Sequence, residues 1–469
     1  MNGALGPEYM VVLGVFASMI AVMVSRQRTI AAYWAALAAV VAAGIWTAAL
    51  WSSPALPISL YAQGVRVDLF SLAIDGLVLL ASAGALLVGW NDARYGADFP
   101  ALVLLALLGM MVLGLANNFL VLFLGIELLS LPLYVLAASG GYAESREAGL
   151  KYLLLGAFSS GILLFGLALL YGASGTMVLT QLANSSLILP LAGAGLALTV
   201  VGLVFKLGII PFHMWVPDVY EGSPLPVTTF MAFGTKVGAA AILLRFLFYG
   251  FSVAVGWWEP ALGYLAVLTM VAGNLLALAQ KDMKRLLAYS GIANAGYLLV
   301  GISAHNQAGA RAMLFYLLVY GLAVLAAFSV FTMVARERNS VSLNDLTGLA
   351  RRSPWLTAFL AVAMLSLAGI PLTGGFVGKF YLLQAALDAN EPGLAIGLVV
   401  GAMIGLAAYV RPLQRAFQGG DGTSEAPVRW PVAGAVVVVI AVLGTIGLGV
   451  YPAPIVHIVN HSAAFDWLR

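Results

Sequence analysis

The chain has 469 residues, of which 62% are hydrophobic and only 9% are charged, whereas an ordinary soluble domain carries about 25% charged residues. This composition excludes a soluble enzyme or binding domain, and the absence of cysteine excludes disulfides, thiolate metal sites and iron–sulfur clusters. The formal net charge of +3 is too small to indicate a nucleic-acid partner.

Apolar segments long enough to cross a membrane recur along the whole chain. They predict an all-α polytopic membrane protein, because the strands of a transmembrane barrel would alternate between polar and apolar residues. The first segment lacks a basic leader and a small-residue cleavage site, so we expect it to be retained as a helix. About 14 spans are predicted, near residues 8–25, 30–50, 70–91, 100–116, 118–137, 150–172, 188–211, 226–248, 260–280, 286–302, 311–335, 355–385, 394–410 and 430–452.

The basic residues predict how the bundle is oriented in the membrane. Nearly all of them lie in alternate loops, and the positive-inside rule makes those loops cytoplasmic, so both termini are predicted on the outer, periplasmic side. The cytoplasmic set comprises Arg26, Arg28, Arg94, Arg146, Lys151, Lys281, Lys284, Arg285, Arg336, Arg338, Arg351, Arg352, Arg411, Arg415 and Arg429. The opposite side holds Arg66, Arg311 and Arg469.

Two spans are predicted to be broken helices. Gly208 and Pro211 interrupt the seventh span, and Gly369 and Pro371 interrupt the twelfth. A straight helix over residues 355–385 would be about 46 Å long, well over the hydrocarbon thickness of about 30 Å. Proline removes a helix hydrogen bond and glycine permits an unwound backbone. The alternative is a simple proline kink in each span.

The positions of the breaks predict an internal repeat. They are five spans apart, so the two helices would cross in opposite directions, as in inverted repeats whose sites lie at discontinuous helices. We therefore predict one integral membrane domain, residues 1–469, with four parts. These are helices 1–3 in residues 1–92, helices 4–8 in residues 100–248, helices 9–13 in residues 260–417, and the final helix and tail in residues 430–469.

Four charged side chains lie inside apolar spans: Glu127, Lys206, Lys236 and Lys379. Each such charge costs about 2.5–3.5 kcal/mol on insertion scales, so these groups are expected to face one another or water and to carry protons, ions or substrate. Burial favours a neutral amine and a nearby carboxylate favours the ammonium, so a Glu–Lys pair can act as a proton switch. We hypothesise that Glu127 pairs with Lys206, that Lys236 is the central proton carrier and that Lys379 is the exit-side carrier. The alternative is that these are structural ion pairs that fix helix register.

Other polar residues give weaker signals. His213 follows the first break and would relay protons or cap the half-helix backbone. Tyr316 and Tyr320 are one turn apart and would anchor a water chain or bond neighbouring helices. We expect Asp75 to pair locally and Arg245 to snorkel toward the surface. The sequence has no Walker loop, dinucleotide glycine pattern or metal cluster, so we expect no cofactor, no metal and no covalent chemistry on this chain.

Four stretches carry a family resemblance: residues 124–132, 206–224, 284–290 and 374–380. They resemble the N-type subunits of NADH:quinone oxidoreductase (respiratory complex I), which are antiporter-like subunits, and the likeness runs over roughly residues 65–415. The resemblance implies a translocase subunit that couples quinone reduction elsewhere in the complex to proton transport, without redox chemistry or direct NADH binding of its own. It also implies the inner membrane of a bacterium, and as partners the other membrane-arm subunits, lipid, protons and water, with no nucleic acid.

The resemblance also implies roles for single residues. Glu127 and Lys206 match the family's Glu–Lys pair in the fifth and seventh helices, Lys236 matches the lysine of the eighth, and Lys379 that of the twelfth. One residue departs from the pattern, because Asn294 stands where family members often have histidine. Asparagine holds water but does not titrate, so ordered water becomes the expected link between Lys236 and Lys379.

Three other functions are compatible with these patterns. A subunit of a cation/proton antiporter or membrane-bound hydrogenase would share the fold and the lysines, and genomic neighbours would distinguish it. A stand-alone solute transporter should place several polar groups at the breaks, which here are mostly apolar. A purely structural bundle would tolerate loss of the charge of Lys236.

Overall fold

The structure is a computed structural model that describes residues 3–24, 28–90, 96–183, 185, 187–335, 342–419 and 428–463. Its α-helices are α1 (Gly6–Val24), α2 (Arg28–Trp51), α3 (Leu69–Val88), α4 (Phe99–Leu115), α5 (Phe119–Ala138), α6 (Ala143–Ser174), α7 (Leu179–Leu182), α8 (Leu189–Leu207), α9 (Trp215–Gly222), α10 (Leu225–Phe230), α11 (Lys236–Arg245), α12 (Val255–Leu278), α13 (Met283–Ser303), α14 (Gln307–Ala335), α15 (Leu349–Arg352), α16 (Pro354–Ala368), α17 (Gly374–Asp388), α18 (Pro392–Phe417), α19 (Val432–Val450) and α20 (Ala453–Ser462). Two short antiparallel strands, β1 (Ile58–Leu60) and β2 (Val65–Val67), form a hairpin between α2 and α3.

The helices confirm a multi-pass, all-helical membrane fold. Twelve helices among the described residues are long and apolar enough to cross a membrane, and the shorter apolar helices α4 and α16 occupy two further predicted spans. Helices satisfy their own backbone hydrogen bonds, which is what a lipid environment requires. The number of spans, predicted as about 14, stays a prediction.

Three helices form the centre of the bundle. The helix Leu225–Gly250 is almost completely enclosed by protein, and α13 and α14 are nearly so. By contrast, only about a third of the residues in α1, α2 and α19 are buried, and these helices expose many large apolar side chains. The central helices carry Lys236, Asn294, Tyr316 and Tyr320, so these residues lie inside the protein and away from lipid.

Both predicted breaks are present as true interruptions. Helix α8 ends at Leu207, followed by Gly208 at φ +77°, and α9 begins only at Trp215. Helix α16 ends at Ala368, Gly369 has φ +85°, and α17 begins at Gly374. Glycine adopts these left-handed conformations without a steric penalty. The breaks leave the last carbonyls of α8 and α16 without partners in their own helices, so side chains can bind them.

The central helix Leu225–Gly250 is not a regular α-helix. A π-helical turn over Met231–Thr235 separates α10 from α11, and a second one over Phe246–Gly250 follows α11. A π turn holds one more residue than an α turn, and such turns are frequent at functional sites. The first of them ends directly before Lys236.

The described basic residues of the predicted cytoplasmic set gather at one end of the bundle. There Arg285 of α13 binds Asp218 and Glu221 of α9, and Lys151 of α6 also binds Asp218. This end is predicted to be cytoplasmic, and the repeat boundaries likewise stay predictions. Some residues used in the orientation prediction lie outside the described residues, namely Arg26, Arg94, Arg336, Arg338 and Arg469.

Candidate functional site

Lys206 lies at the end of α8 and reaches across to α5. Its Nζ donates to Ser130 Oγ at 2.8 Å and to Tyr134 Oη at 3.4 Å. These two residues follow Glu127 by three and seven positions, so all three share one face of α5. Sequence reasoning missed Ser130 and Tyr134, although this helical spacing from Glu127 was the available signal.

Glu127 is half-buried, and no described residue forms a hydrogen bond with its Oε1. The two residues form no direct ion pair in this conformation, because the hydroxyls of Ser130 and Tyr134 hold the amine instead. The carboxylate nevertheless lies near enough to act on Lys206 electrostatically. The structure therefore places Glu127 and Lys206 near each other without a direct ion pair, an arrangement that we call the open pair.

Lys236 binds the end of the first broken helix. Its side chain is only 2% exposed, and Nζ donates to the carbonyl of Leu207 at 3.1 Å. The C-terminal end of a helix carries partial negative charge, which stabilises an ammonium group there. Lys206 precedes Leu207 in the chain, so the two lysines meet at the same break.

Tyr320 lies next to Lys236. A Cβ added to Gly291 would lie 3.2 Å from both Lys236 Cε and Tyr320 Oη, so these groups border the same small space. The Tyr320 hydroxyl is buried and has no hydrogen-bond partner in the described ranges. It is thus an open donor and acceptor beside the central lysine.

Asn294 is the centre of a polar cluster between α13, α14 and α18. Its Oδ1 accepts a hydrogen bond from the Tyr316 hydroxyl, and its Nδ2 donates to the Ser290 carbonyl at 2.8 Å and to Tyr409 Oη at 3.3 Å. The Ser290 and Tyr409 hydroxyls are 2.7 Å apart. Ser290 and Tyr409 were missed in the sequence, because single hydroxyl residues in apolar helices give no pattern.

Lys379 binds the end of the second broken helix. Its Nζ donates to the carbonyls of Leu367 and Ala368 at 2.7 and 3.2 Å. The same nitrogen lies 4.7 Å from the centroid of the Tyr297 ring, which in turn lies 6.0 Å from the Tyr316 ring. Lys379 therefore adjoins the Asn294 cluster. A groove of about 260 Å³, lined mostly by apolar side chains, also reaches Lys379 from outside the bundle.

His213 lies in the turn between α8 and α9 and is half-buried. Its carbonyl accepts a hydrogen bond from the Val216 N–H at 2.9 Å. Its Nδ1 has no hydrogen-bond partner within the described part of the chain. That bond involves only the backbone of His213, so capping of the half-helix by its side chain and a proton relay through it both stay predictions.

Three polar residues differ from their sequence-based expectations. Arg245 does not snorkel: its side chain is 0% exposed and binds Asp68 at 2.7 Å. Asp75 does not pair locally, since both carboxyl oxygens are buried without a hydrogen-bond partner. Lys284, which was assigned to a loop, is fully buried at the start of α13, where Nζ donates to the Ser223 carbonyl at 2.7 Å. Partners from distant parts of the chain decide the cases of Arg245 and Lys284.

No metal cluster is visible in the described ranges, which contain no group of three or more His, Cys, Asp or Glu residues able to hold an ion. The expectation that this chain binds no cofactor stays a prediction. What the site offers instead is a row of polar groups, namely a carboxyl, amines, hydroxyls and an amide. The row consists of Glu127, Lys206, Lys236, Tyr320, Asn294, Tyr316 and Lys379. Such groups donate and accept protons, directly or through water.

Comparisons with known proteins identify the family to which this chain is similar. The family model described as NADH:quinone oxidoreductase/Mrp antiporter matches residues 116–405. A relative from Gemmatimonas aurantiaca, NADH-quinone oxidoreductase subunit N, is 41% identical over 417 residues, covering 85% of this chain and 79% of the relative. Subunit N 1 from Symbiobacterium thermophilum is 40% identical over 456 residues, which is 92% of each chain.

Solved structures agree with this fold. A chain of respiratory complex I from Thermus thermophilus superposes with a TM-score of 0.84 at 34% identity, covering 96% of this chain and 98% of that one. A chain of the Mrp complex from Dietzia has a TM-score of 0.87 at 24% identity, covering 99% and 97%, which supports the fold alone. The breadth of the family match and the identity to full-length relatives show that the chain belongs to the NADH-quinone oxidoreductase subunit N family.

Proposed function

We propose that this chain is a proton-translocating, antiporter-like subunit in the membrane arm of an NADH:quinone oxidoreductase. The observation that carries the proposal is the row of buried polar groups that joins the two helix breaks through the centre of the bundle. Quinone reduction takes place elsewhere in the complex, and this chain performs no redox chemistry. Its partners are the other membrane-arm subunits, as the names of its relatives suggest.

The two breaks hold the lysines that exchange protons. The carbonyls at the ends of α8 and α16 stabilise the ammonium forms of Lys236 and Lys379. When Lys236 gives up its proton, Tyr320 is the adjacent group, and the Asn294 cluster leads from there toward Lys379. Because Asn294 does not titrate, its part is to hold the hydroxyls and water that pass the proton.

The Glu127–Lys206 pair supplies the switch. An opposite charge at 4–5 Å stabilises a lysine by about 3–4 kcal/mol at an effective dielectric constant near 20. Moving one charge against a potential of about 150 mV takes roughly 3.5 kcal/mol. The two quantities match, so closing and opening this pair changes the proton affinity by enough to drive transport. In this proposal the open state is the arrangement in which Lys206 Nζ donates to Ser130 Oγ.

We place the chain in the cell membrane of a bacterium, with both termini on the outer side. The basic end that contains Lys151, Lys284 and Arg285 is then cytoplasmic. Helices α4 to α11 and α12 to α18 are the proposed inverted repeats, each with one broken helix. A cation/proton antiporter subunit would use the same fold, but the relatives at about 40% identity are named as oxidoreductase subunits.

The proposal is tested by Lys236→Met in the assembled complex, with the exposed loop substitution Lys281→Met as the matched control. Protons moved per NADH oxidised are measured in reconstituted vesicles, and copurification of all subunits is checked. We expect the ratio to fall at least about twofold in Lys236→Met, since its buried amine is lost, and to stay unchanged in the control. An unchanged ratio in a fully assembled Lys236→Met complex would contradict the proposal.

A further inference from the structure

A buried carboxyl outside the two repeats is unpaired within the described part of the chain. Asp75 lies on α3 with 1% exposure, and neither of its oxygens has a hydrogen-bond partner among the described residues. A buried carboxylate without a donor is unfavourable, so the group must take up a proton or a solvating partner. None of the residues assigned to the proton pathway above accounts for Asp75.

In the described chain, Arg245 of α11 has buried N–H donors that lack acceptors, whereas Asp75 has buried acceptors that lack donors. The Arg245 side chain is fully buried, and Nη2 donates to Asp68 Oδ1 at 2.7 Å. Its Nε and Nη1 groups have no acceptor among the residues that the structure describes. Asp68 caps the start of α3, and Asp75 and Ser82 follow it at intervals of seven residues, which places the three on one face of the helix. The open donors of Arg245 and the open acceptors of Asp75 therefore belong to the same buried neighbourhood.

The charges around Asp75 leave one carboxyl in excess. The groups that act on it from neighbouring elements are Glu8 of α1, Asp68 and Arg245. Glu8 is also buried, with Oε2 unpartnered, and Arg66 binds Asp68 at 3.2 Å. Three carboxyls thus face two guanidinium groups, and a single proton balances the cluster.

The cluster spans the distance between the middle of the bundle and one of its ends. Helix α3 runs antiparallel to the central helix, because Asp68 meets Arg245 while Gly89 lies beside Pro226. Asp75 is about 10 Å deeper than Asp68, and Lys236 is about 13 Å deeper than Arg245, at 1.5 Å per residue. Asp75 and Lys236 therefore lie at nearly the same depth. Asp68 and Arg245 lie at the end where α1 begins, which is the end predicted to be outer.

We propose that Asp75 is a proton-binding site that delivers protons from the middle of the bundle to the membrane face where α1 begins. Arg245 is its switch. With Arg245 held by Asp68, Asp75 keeps its proton; when Arg245 turns its free N–H groups to Asp75, the carboxyl O–H bond breaks and the proton passes to water. The carboxylate that remains is stabilised by Arg245. This inference rests on the proposed function, because it supplies that transport with a release group.

The test compares Asp75→Asn, Asp75→Glu and Ser82→Ala in the assembled complex. Ser82 is the matched control, since it is a buried polar residue on the same face and its hydroxyl donates to the Val78 carbonyl of its own helix at 2.8 Å. Protons moved per NADH oxidised are measured in vesicles. Asparagine keeps the shape of Asp75 but binds no proton, so we expect Asp75→Asn to move at least about twofold fewer protons per NADH oxidised. Asp75→Glu keeps a carboxyl group and is expected to retain most of the wild-type ratio.

Comparing the proton ratios of Asp75→Asn and Asp75→Glu distinguishes loss of a proton-binding group from disturbed packing. Glutamate disturbs a packed site more than asparagine does, so a functional Asp75→Asn together with an inactive Asp75→Glu would overturn the proposal. A wild-type ratio in Asp75→Asn would do so as well. If Asp75→Asn does not assemble, Arg245→Lys tests the same switch, because a single ammonium can hold Asp68 but cannot also reach Asp75. The expected result is a lowered ratio, and an unchanged ratio overturns the proposal.

The experiment also separates this inference from the proposed function. If Lys236→Met lowers the ratio and Asp75→Asn does not, only the release site is wrong. If neither variant lowers it, the transport function itself fails.

Discussion

Asn294 shows how a side chain that does not titrate can serve a proton pathway. Its amide accepts from Tyr316 and donates to Ser290 and Tyr409, so one residue holds together hydroxyls from α13, α14 and α18. A histidine at this position would carry the proton itself. Asparagine instead fixes the positions of neighbouring groups, and these must pass the proton on.

Replacing Asn294 by leucine is expected to interrupt the pathway between Lys236 and Lys379. Leucine has a similar volume but leaves the buried Tyr316 hydroxyl without its acceptor, a penalty of about 1–3 kcal/mol. We expect the ratio of protons moved to NADH oxidised to fall while NADH oxidation continues. Thr445→Val is the control, because this buried hydroxyl bonds only the Ala441 carbonyl of its own helix. Equal ratios in the two variants would show that Asn294 is not on the pathway.

At the scale of the helix, each break converts backbone carbonyls into a lysine-binding site. Lys236 uses the end of α8 and Lys379 uses the end of α16, although one lysine comes from a separate helix and the other from the second half of the same broken helix. The π turn before Lys236 is a further departure from regular helix geometry. Both devices position a lysine that an uninterrupted α-helix would leave without a partner.

The substitution Gly369→Ala tests the second break. Alanine at φ +85° is strained by about 1–2 kcal/mol, and its Cβ would lie 2.9 Å from Lys379 Cδ. We expect a lower melting temperature of the complex and a reduced proton ratio. Gly447→Ala on α19 is the control, since an added Cβ there meets nothing within 4 Å. A Gly369→Ala complex that melts and pumps like the control would argue against the need for this backbone conformation.

At the scale of the whole molecule, an ion network ties three elements at the predicted cytoplasmic end. Asp218 of α9 binds Lys151 of α6 and Arg285 of α13, each at 2.9 Å. Burial acts to raise the pKa of Asp218, but hydrogen bonds from Lys151 and Arg285 outweigh it and hold the pKa below its ordinary value of 3.8. The network therefore stabilises the folded state only while Asp218 is ionised.

This gives a pH-dependent prediction for Asp218→Asn. A depressed pKa contributes stability above the ordinary value, and that contribution is lost as the pH falls through the folded-state value. At pH 7 the variant should melt slightly below the wild type, by no more than about 1 kcal/mol of stability because the pair is partly exposed. The difference should be retained above pH 3.8, shrink as the pH falls below 3.8, and disappear below the lower folded-state pKa. A difference that stays constant down to acid pH would exclude the ion network as its cause.

The sequence by itself determined the membrane class, the positions of the helices, the two breaks and the four charged residues at membrane depth. Each of these depends on local properties: hydropathy over one span, the effects of proline and glycine on a single turn, or the insertion penalty of one charge. The family resemblance added the roles of Lys236 and Lys379, which stay predictions until the variants are measured.

The tertiary structure alone decided which groups meet. Arg245 finds Asp68 at a separation of 177 residues, and Ser290 finds Tyr409 at 119. Lys206 lies on Ser130 and Tyr134 with its pair to Glu127 open, and Asp75 is left without a partner. These outcomes depend on which helix faces pack together and at what depth, and the hydropathy of a single helix carries no information about either.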